Sequence, residues 1–211
     1  MQTKAATALY DYWTRQRGER TVPLRSAIEP ADIAAILPDV FILEGGKQQS
    51  PCFRLAGTRL CAQFGRELKG LDFAGLFAPD QRGRIAKIAE NVMTQAMPAV
   101  LRVQLVDGAL DSTEAEIALL PLATTARTAD RIIGAFAPLP GQRQPLSAFR
   151  YATLGSLSVI DPARMRDLAG NRPAIPVPTS VMAMRPAGFG QKVSQVMHLR
   201  IFEGGRRPEE T

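Results

Sequence analysis

Few side chains in this sequence could do covalent or acid–base chemistry. It contains one histidine, His198, and two cysteines, Cys52 and Cys61. A protein zinc site draws on closely spaced His and Cys ligands. One histidine excludes a histidine pair, and two cysteines nine positions apart match no metal spacing. Both thiols are expected to stay reduced, with Cys61 acting as a small hydrophobe on the apolar side of a short helix. A serine nucleophile would have to take His198 as its base, and no nucleophile elbow is present. Gly65-Arg66-Glu67-Leu68-Lys69-Gly70 is no phosphate loop, because its lysine precedes the second glycine and no Ser or Thr follows. Glu114 and Glu116 lie two apart on a strand, and paired carboxylates can move protons. A solvated strand face is the simpler expectation for them. The reading is therefore of a protein that is not an enzyme, with no catalytic residue and no metal ligand.

The elements around these residues are legible from period and punctuation. Residues 5–17 read as a helix, with Ala5, Leu9, Trp13 and Gln16 at spacings of four and three and Gly18 as its stop. Pro30 suits the first turn of a second helix, whose apolar face is Ile33, Ile36 and Leu37 and whose end is Pro38. Val40 to Glu44 is an apolar run of strand length. Phe53 and Leu55 alternate with Arg54 in the next strand. Thr58 is the expected cap of a short helix carrying Leu60, Cys61 and Phe64 on one face. Gly65 sits where a left-handed helix end favours glycine. Asp80 is the expected cap of a longer helix reaching about Met97, with Ile85, Ile88 and Val92 inward. Alternating strands follow over residues 99–106, 112–122 and 131–139. From residue 140 prolines interrupt every candidate element, so residues 140–190 read as linker, with a late strand near 193–202.

This order of strand, strand, helices and three strands predicts an α+β fold, with helices packed on one face of a sheet. The divisions expected are an N-terminal helical segment over residues 1–38, a central domain over 39–140 and a Pro-rich extension over 141–211. The interior between sheet and helices should be lined by Leu60, Phe64, Phe73, Leu76, Ile88, Val92, Val103, Ile117, Leu119 and Phe136. All ten are apolar. They describe either a filled core or a hollow for a small apolar guest. Leu9, Tyr12 and Trp13 are the candidate docking or interface residues of the first helix, since Trp and Tyr anchor interfaces. Hydrophobic residues at 45% and charged residues at 22% are ordinary globular values. The net charge of +6 divides as +3 over residues 1–150 and +3 over residues 151–211. A charge so evenly spread argues against nucleic-acid binding, which favours a basic stripe with aromatics. No N-terminal apolar run and no window of eighteen apolar residues is present, so a cytoplasmic protein without a membrane anchor is expected.

Several of these pieces together resemble a known family. They are Leu9-Tyr10-Asp11-Tyr12-Trp13 with Arg17-Gly18, Pro23-Leu24-Arg25, Ile28-Glu29-Pro30-Ala31-Asp32-Ile33 and Leu37-Pro38-Asp39-Val40. Residues 53–57, Phe64-Gly65-Arg66-Glu67-Leu68-Lys69-Gly70 and Leu120-Pro121-Leu122 complete the set. The combination, over roughly residues 5–140, resembles the PAS-domain proteins of the short, stand-alone type common in alphaproteobacteria. The resemblance implies a PAS-like five-stranded antiparallel sheet with helices on one face. It also implies a sensory or regulatory role in bacterial signal transduction, exercised through a protein partner or a homodimer. Two alternatives stand beside it: a sensor of an apolar or noncovalent flavin-like ligand, and a nucleic-acid-binding regulator. Haem is disfavoured, since its axial ligand is most often histidine and His198 lies in the C-terminal segment. A covalent flavin adduct is disfavoured because Leu60-Cys61-Ala62 does not match the Asn-Cys-Arg setting of light-sensing relatives. The resemblance supplies no catalytic residues.

Overall fold

Alternating apolar residues build the strands, and the two faces of the resulting sheet decide which strands alternate and which do not. The computed structural model describes residues 1–45, 50–109, 111–125, 128–142 and 147–161. Its elements are α1 (Lys4–Arg17), β1 (Val40–Glu44), β2 (Cys52–Ala56), α2 (Thr58–Gln63), α3 (Arg82–Thr94), β3 (Ala99–Asp107), β4 (Ser112–Leu122), β5 (Arg131–Pro138) and β6 (Phe149–Val159). Short 3-10 turns lie between α1 and β1 and between α2 and α3, the longest over Pro30–Asp39. The chain divides into two units, Met1–Arg172 and Pro173–Thr211. The second unit, and with it the strand expected near 193–202, lies outside the described residues.

The strands form one antiparallel sheet in the order β2-β1-β5-β4-β3-β6. Central strands β4 and β5 are buried on both faces, so their apolar runs are nearly continuous. In β3, nearer the edge, buried residues alternate with Arg102 and Gln104. One face packs on α2, α3 and the 3-10 turns around a core that includes Leu60, Ile85, Leu101 and Phe136. The opposite face carries a second core, in which α1 covers Val40, Ile42, Leu120, Leu122, Ile133 and Ala135.

The sheet has six described strands where five were expected, and part of the supposed linker is the sixth. Its apolar residues Phe149, Ala152, Leu154, Leu157 and Val159, the last two exposed, are spaced by three, two, three and two, because β6 bulges twice against β3. An extra residue in a bulge reverses the in–out phase. No strict alternation is left to read. The same effect corrects β2. A bulge opposite Ile42 and Leu43 sends Leu55 outward, 46% exposed, while Phe53 stays buried.

Two expected caps also move. Gly57, not Thr58, is the N-cap of α2. A Cβ at residue 57 would stand 2.3 Å from the Pro38 carbonyl oxygen, so only glycine lets α2 start this close to the 3-10 segment before β1. Asp80 falls inside a 3-10 turn, and Gln81 precedes α3. Thr3 caps α1 by accepting the Ala6 amide at 3.2 Å, and Gly65 takes the left-handed φ of +61°.

Candidate functional site

All ten residues expected between sheet and helices are buried in one core cluster. Their elements converge because β3, β4 and β5 send alternate side chains to the face that α2 and α3 cover. Aromatic rings knit this interior together. Phe64 stands edge-on to Phe136 at 5.7 Å and to Phe149 at 6.3 Å. Phe73 contacts Phe41, Phe53 and Phe77 at 5.9, 5.8 and 5.7 Å. Edge-on and offset rings at these separations are favourable packing. Two of the ten, Ile88 and Val92, also line a groove of about 90 Å³ with Leu157 and Val159 at the open end of β6.

Arg54 and Gln104, the nearest polar residues in sequence, point away from this interior. Arg54 pairs with Glu44 at 3.0 Å, and Gln104 donates to Glu114 at 2.9 Å. Thiol chemistry gains little support. Burial, with Asp72 and Glu44 nearby, pushes the Cys52 thiol up, which disfavours the reactive thiolate. Cys61 is half-buried, its sulfur 3.8 Å from a Glu67 carboxylate oxygen. No group of three or more His, Cys, Asp or Glu among the described residues could hold a metal ion, and His198 lies outside them.

Leu9, Tyr12 and Trp13 are all buried in the second core. The Trp13 indole N–H donates to the Pro121 carbonyl at 2.8 Å. The Tyr12 hydroxyl accepts the Glu29 amide at 2.8 Å, tying α1 to the segment before β1. Burial, with Asp32 and Glu29 beside it, pushes the Tyr12 phenol above its usual range. These contacts assign the three side chains to docking α1 within the chain. The helix face left to solvent carries Lys4, Thr7, Ala8, Asp11 and Arg15.

The expectation of a solvated carboxylate pair on β4 is corrected. Glu114 is exposed, but Glu116 is 1% exposed. Its carboxylate accepts the Gln2 amide at 2.9 and 3.0 Å, the Thr3 amide at 3.0 Å and the Thr3 hydroxyl at 3.0 Å. Arg102 stands 3.5 Å away on the neighbouring strand. Glu116 therefore clasps the start of α1, where the helix's unpaired amides and positive dipole end favour an anion. Its oxygens are occupied as acceptors, an arrangement that holds structure. A carboxylate on the alternating face of a strand gave the only hint in sequence.

The chain belongs to the PAS domain family, whose model matches residues 1–137. No curated protein matches it. Among solved structures it is similar to a Rhodobacter sphaeroides LOV protein, at 10% identity and a TM-score of 0.41 over 51% of this chain and 64% of that one. It is also similar to the PAS domain of an HTR-like protein from Haloarcula marismortui, at 11% identity and a TM-score of 0.38 over 52% and 90% of the two chains. The match thus spans less than two thirds of the LOV protein. Family membership gives the chain a sensory or regulatory character. No helix among the described residues is long and apolar enough to cross a membrane.

Proposed function

We propose that this protein is a non-catalytic cytoplasmic PAS regulator that works by association with a second copy of itself, with α1 as the coupling element. The observation that carries the reading is the interior. The ten side chains that would surround a guest pack into one core with the rings of Phe41, Phe53, Phe77 and Phe149. A core filled by aliphatic and aromatic side chains leaves little room for a guest, so recognition falls to the surface. There, Leu157 and Val159 at the end of β6 are 38% and 59% exposed. An edge strand with apolar side chains is a ready template for a second chain. Leu9, Tyr12 and Trp13 serve the same function by holding α1 on the sheet, so its placement follows that of β4 and β5.

Sedimentation velocity over a range of concentrations tests this on the full chain. Wild type should associate as concentration rises, and the Leu157→Lys/Val159→Lys variant should stay monomeric with an unchanged melting temperature. A wild type that is monomeric throughout, or a variant that associates equally well, overturns the proposal.

A further inference from the structure

A larger cleft lies away from the family's interior, and nothing above uses it. It measures about 630 Å³ and is framed by the turn after α1, the last turn of α3, Ala123 after β4, and Thr128 and Ala129 before β5. That volume is in the usual range for small-molecule sites. Its walls are fixed by backbone bonds. Leu24 bridges Ala123 in parallel, with the Arg25 amide donating to the Ala123 carbonyl at 2.8 Å and the Ala123 amide to the Pro23 carbonyl at 3.1 Å. The loop neck is closed by the Thr124 amide, which donates to the Asp130 carboxylate at 2.8 Å.

The chemistry of the lining is divided. Val22, Leu24, Met93 and Ala123 supply an aliphatic floor. Arg20, Thr21 and Thr128 supply a cation and two hydroxyls at the rim. No acidic side chain is among the lining residues. On the far wall Thr94 directs its hydroxyl proton to the Glu90 carbonyl. The carbonyl end of α3 on that side disfavours an anion there, which leaves the Arg20 rim as the place for one. Ala96, also in the lining, is the one described residue other than glycine with a positive φ, at +53°. Backbone held in so unfavourable a region concentrates at ligand sites.

We infer that this cleft binds a small amphipathic carboxylate, with its chain on Val22, Leu24, Met93 and Ala123 and its carboxylate at Arg20. Val22 packs on the outer core and Met93 on the inner one, so an occupant would touch both layers of the fold.

Calorimetry of the full chain with octanoate, octylammonium and 1-octanol tests the inference. Octanoate should bind saturably at one site, and octylammonium should not bind. Arg20→Gln changes an exposed side chain and should weaken octanoate about tenfold, the scale of one charge-assisted hydrogen bond. Ala129→Phe, which puts a ring into the cleft, should abolish binding while circular dichroism stays that of wild type. Failure of octanoate to saturate, equal binding of octylammonium, or unchanged affinity in either folded variant overturns the inference.

Discussion

At the scale of single residues, this structure places its polar side chains as fasteners. Glu116 shows it most clearly. Removing it would strand the Gln2 and Thr3 amides and leave Arg102 beside an apolar face. Glu116→Ala should cost about 3 kcal/mol, in the range for breaking one partner of a buried ion pair. Hydrogen exchange would localise the effect, with protection lost first at Ala6 and Thr7 and retained at Ile133. Uniform loss across the sheet would show that the clasp is not local. Tyr12 gives a pH-dependent counterpart. Its phenol is raised in the folded state, so the folded chain holds that proton more tightly than the unfolded chain does. The resulting stability is present below the unfolded value near 10 and is lost as pH rises through the folded one. Urea titrations should show wild type losing stability faster than Tyr12→Phe above pH ~10. Parallel curves would mean that burial leaves the phenol unperturbed.

At the scale of elements, helix ends and bulges decide where side chains point. α3 leaves its last turn through Ala96, whose φ of +53° an alanine adopts at a cost. Ala96→Gly should raise stability by about 1 kcal/mol, the left-handed penalty net of glycine's greater unfolded freedom. A thermal melt reads the gain directly, and a lowered midpoint would show that the backbone there is unstrained. Bulges explain what the sequence concealed. In β6 they space the apolar residues by three and two, a pattern that fits neither the strand nor the helix period. In β2 a single bulge turns Leu55 outward although Phe53 and Leu55 have the spacing of a shared face. By contrast α1 was legible, because Leu9 and Trp13 lie four apart and Gly18 marks its end.

At the scale of the molecule, two cores sit back to back on one sheet. The inner core belongs to the PAS helices, and the outer one exists because α1 lies across β4 and β5. Deleting residues 1–18 would uncover Val40, Ile42, Leu120, Leu122, Ile133 and Ala135 together. A contiguous apolar face of that kind is not kept bare by a monomer. The shortened chain should scatter light and bind a hydrophobic dye, with its near-ultraviolet dichroism reduced. A monodisperse product with the wild-type melting curve would show that α1 is dispensable to the fold.

Periodicity and punctuation alone were enough to read the fold class and the sequential order of elements through β5, and they marked ten side chains that lie in the inner core. Each of those features is local or depends on which face of an element is apolar, and local pattern records that. Tertiary structure alone decided three other matters. It packed Trp13 on its own sheet, set Glu116 against the start of α1 instead of water, and made a strand of the largely apolar stretch after residue 148. In each case the answer depends on a partner in space. Glu116 and Thr3 are 113 positions apart, and β6 is recognisable as a strand only through its ladder with β3.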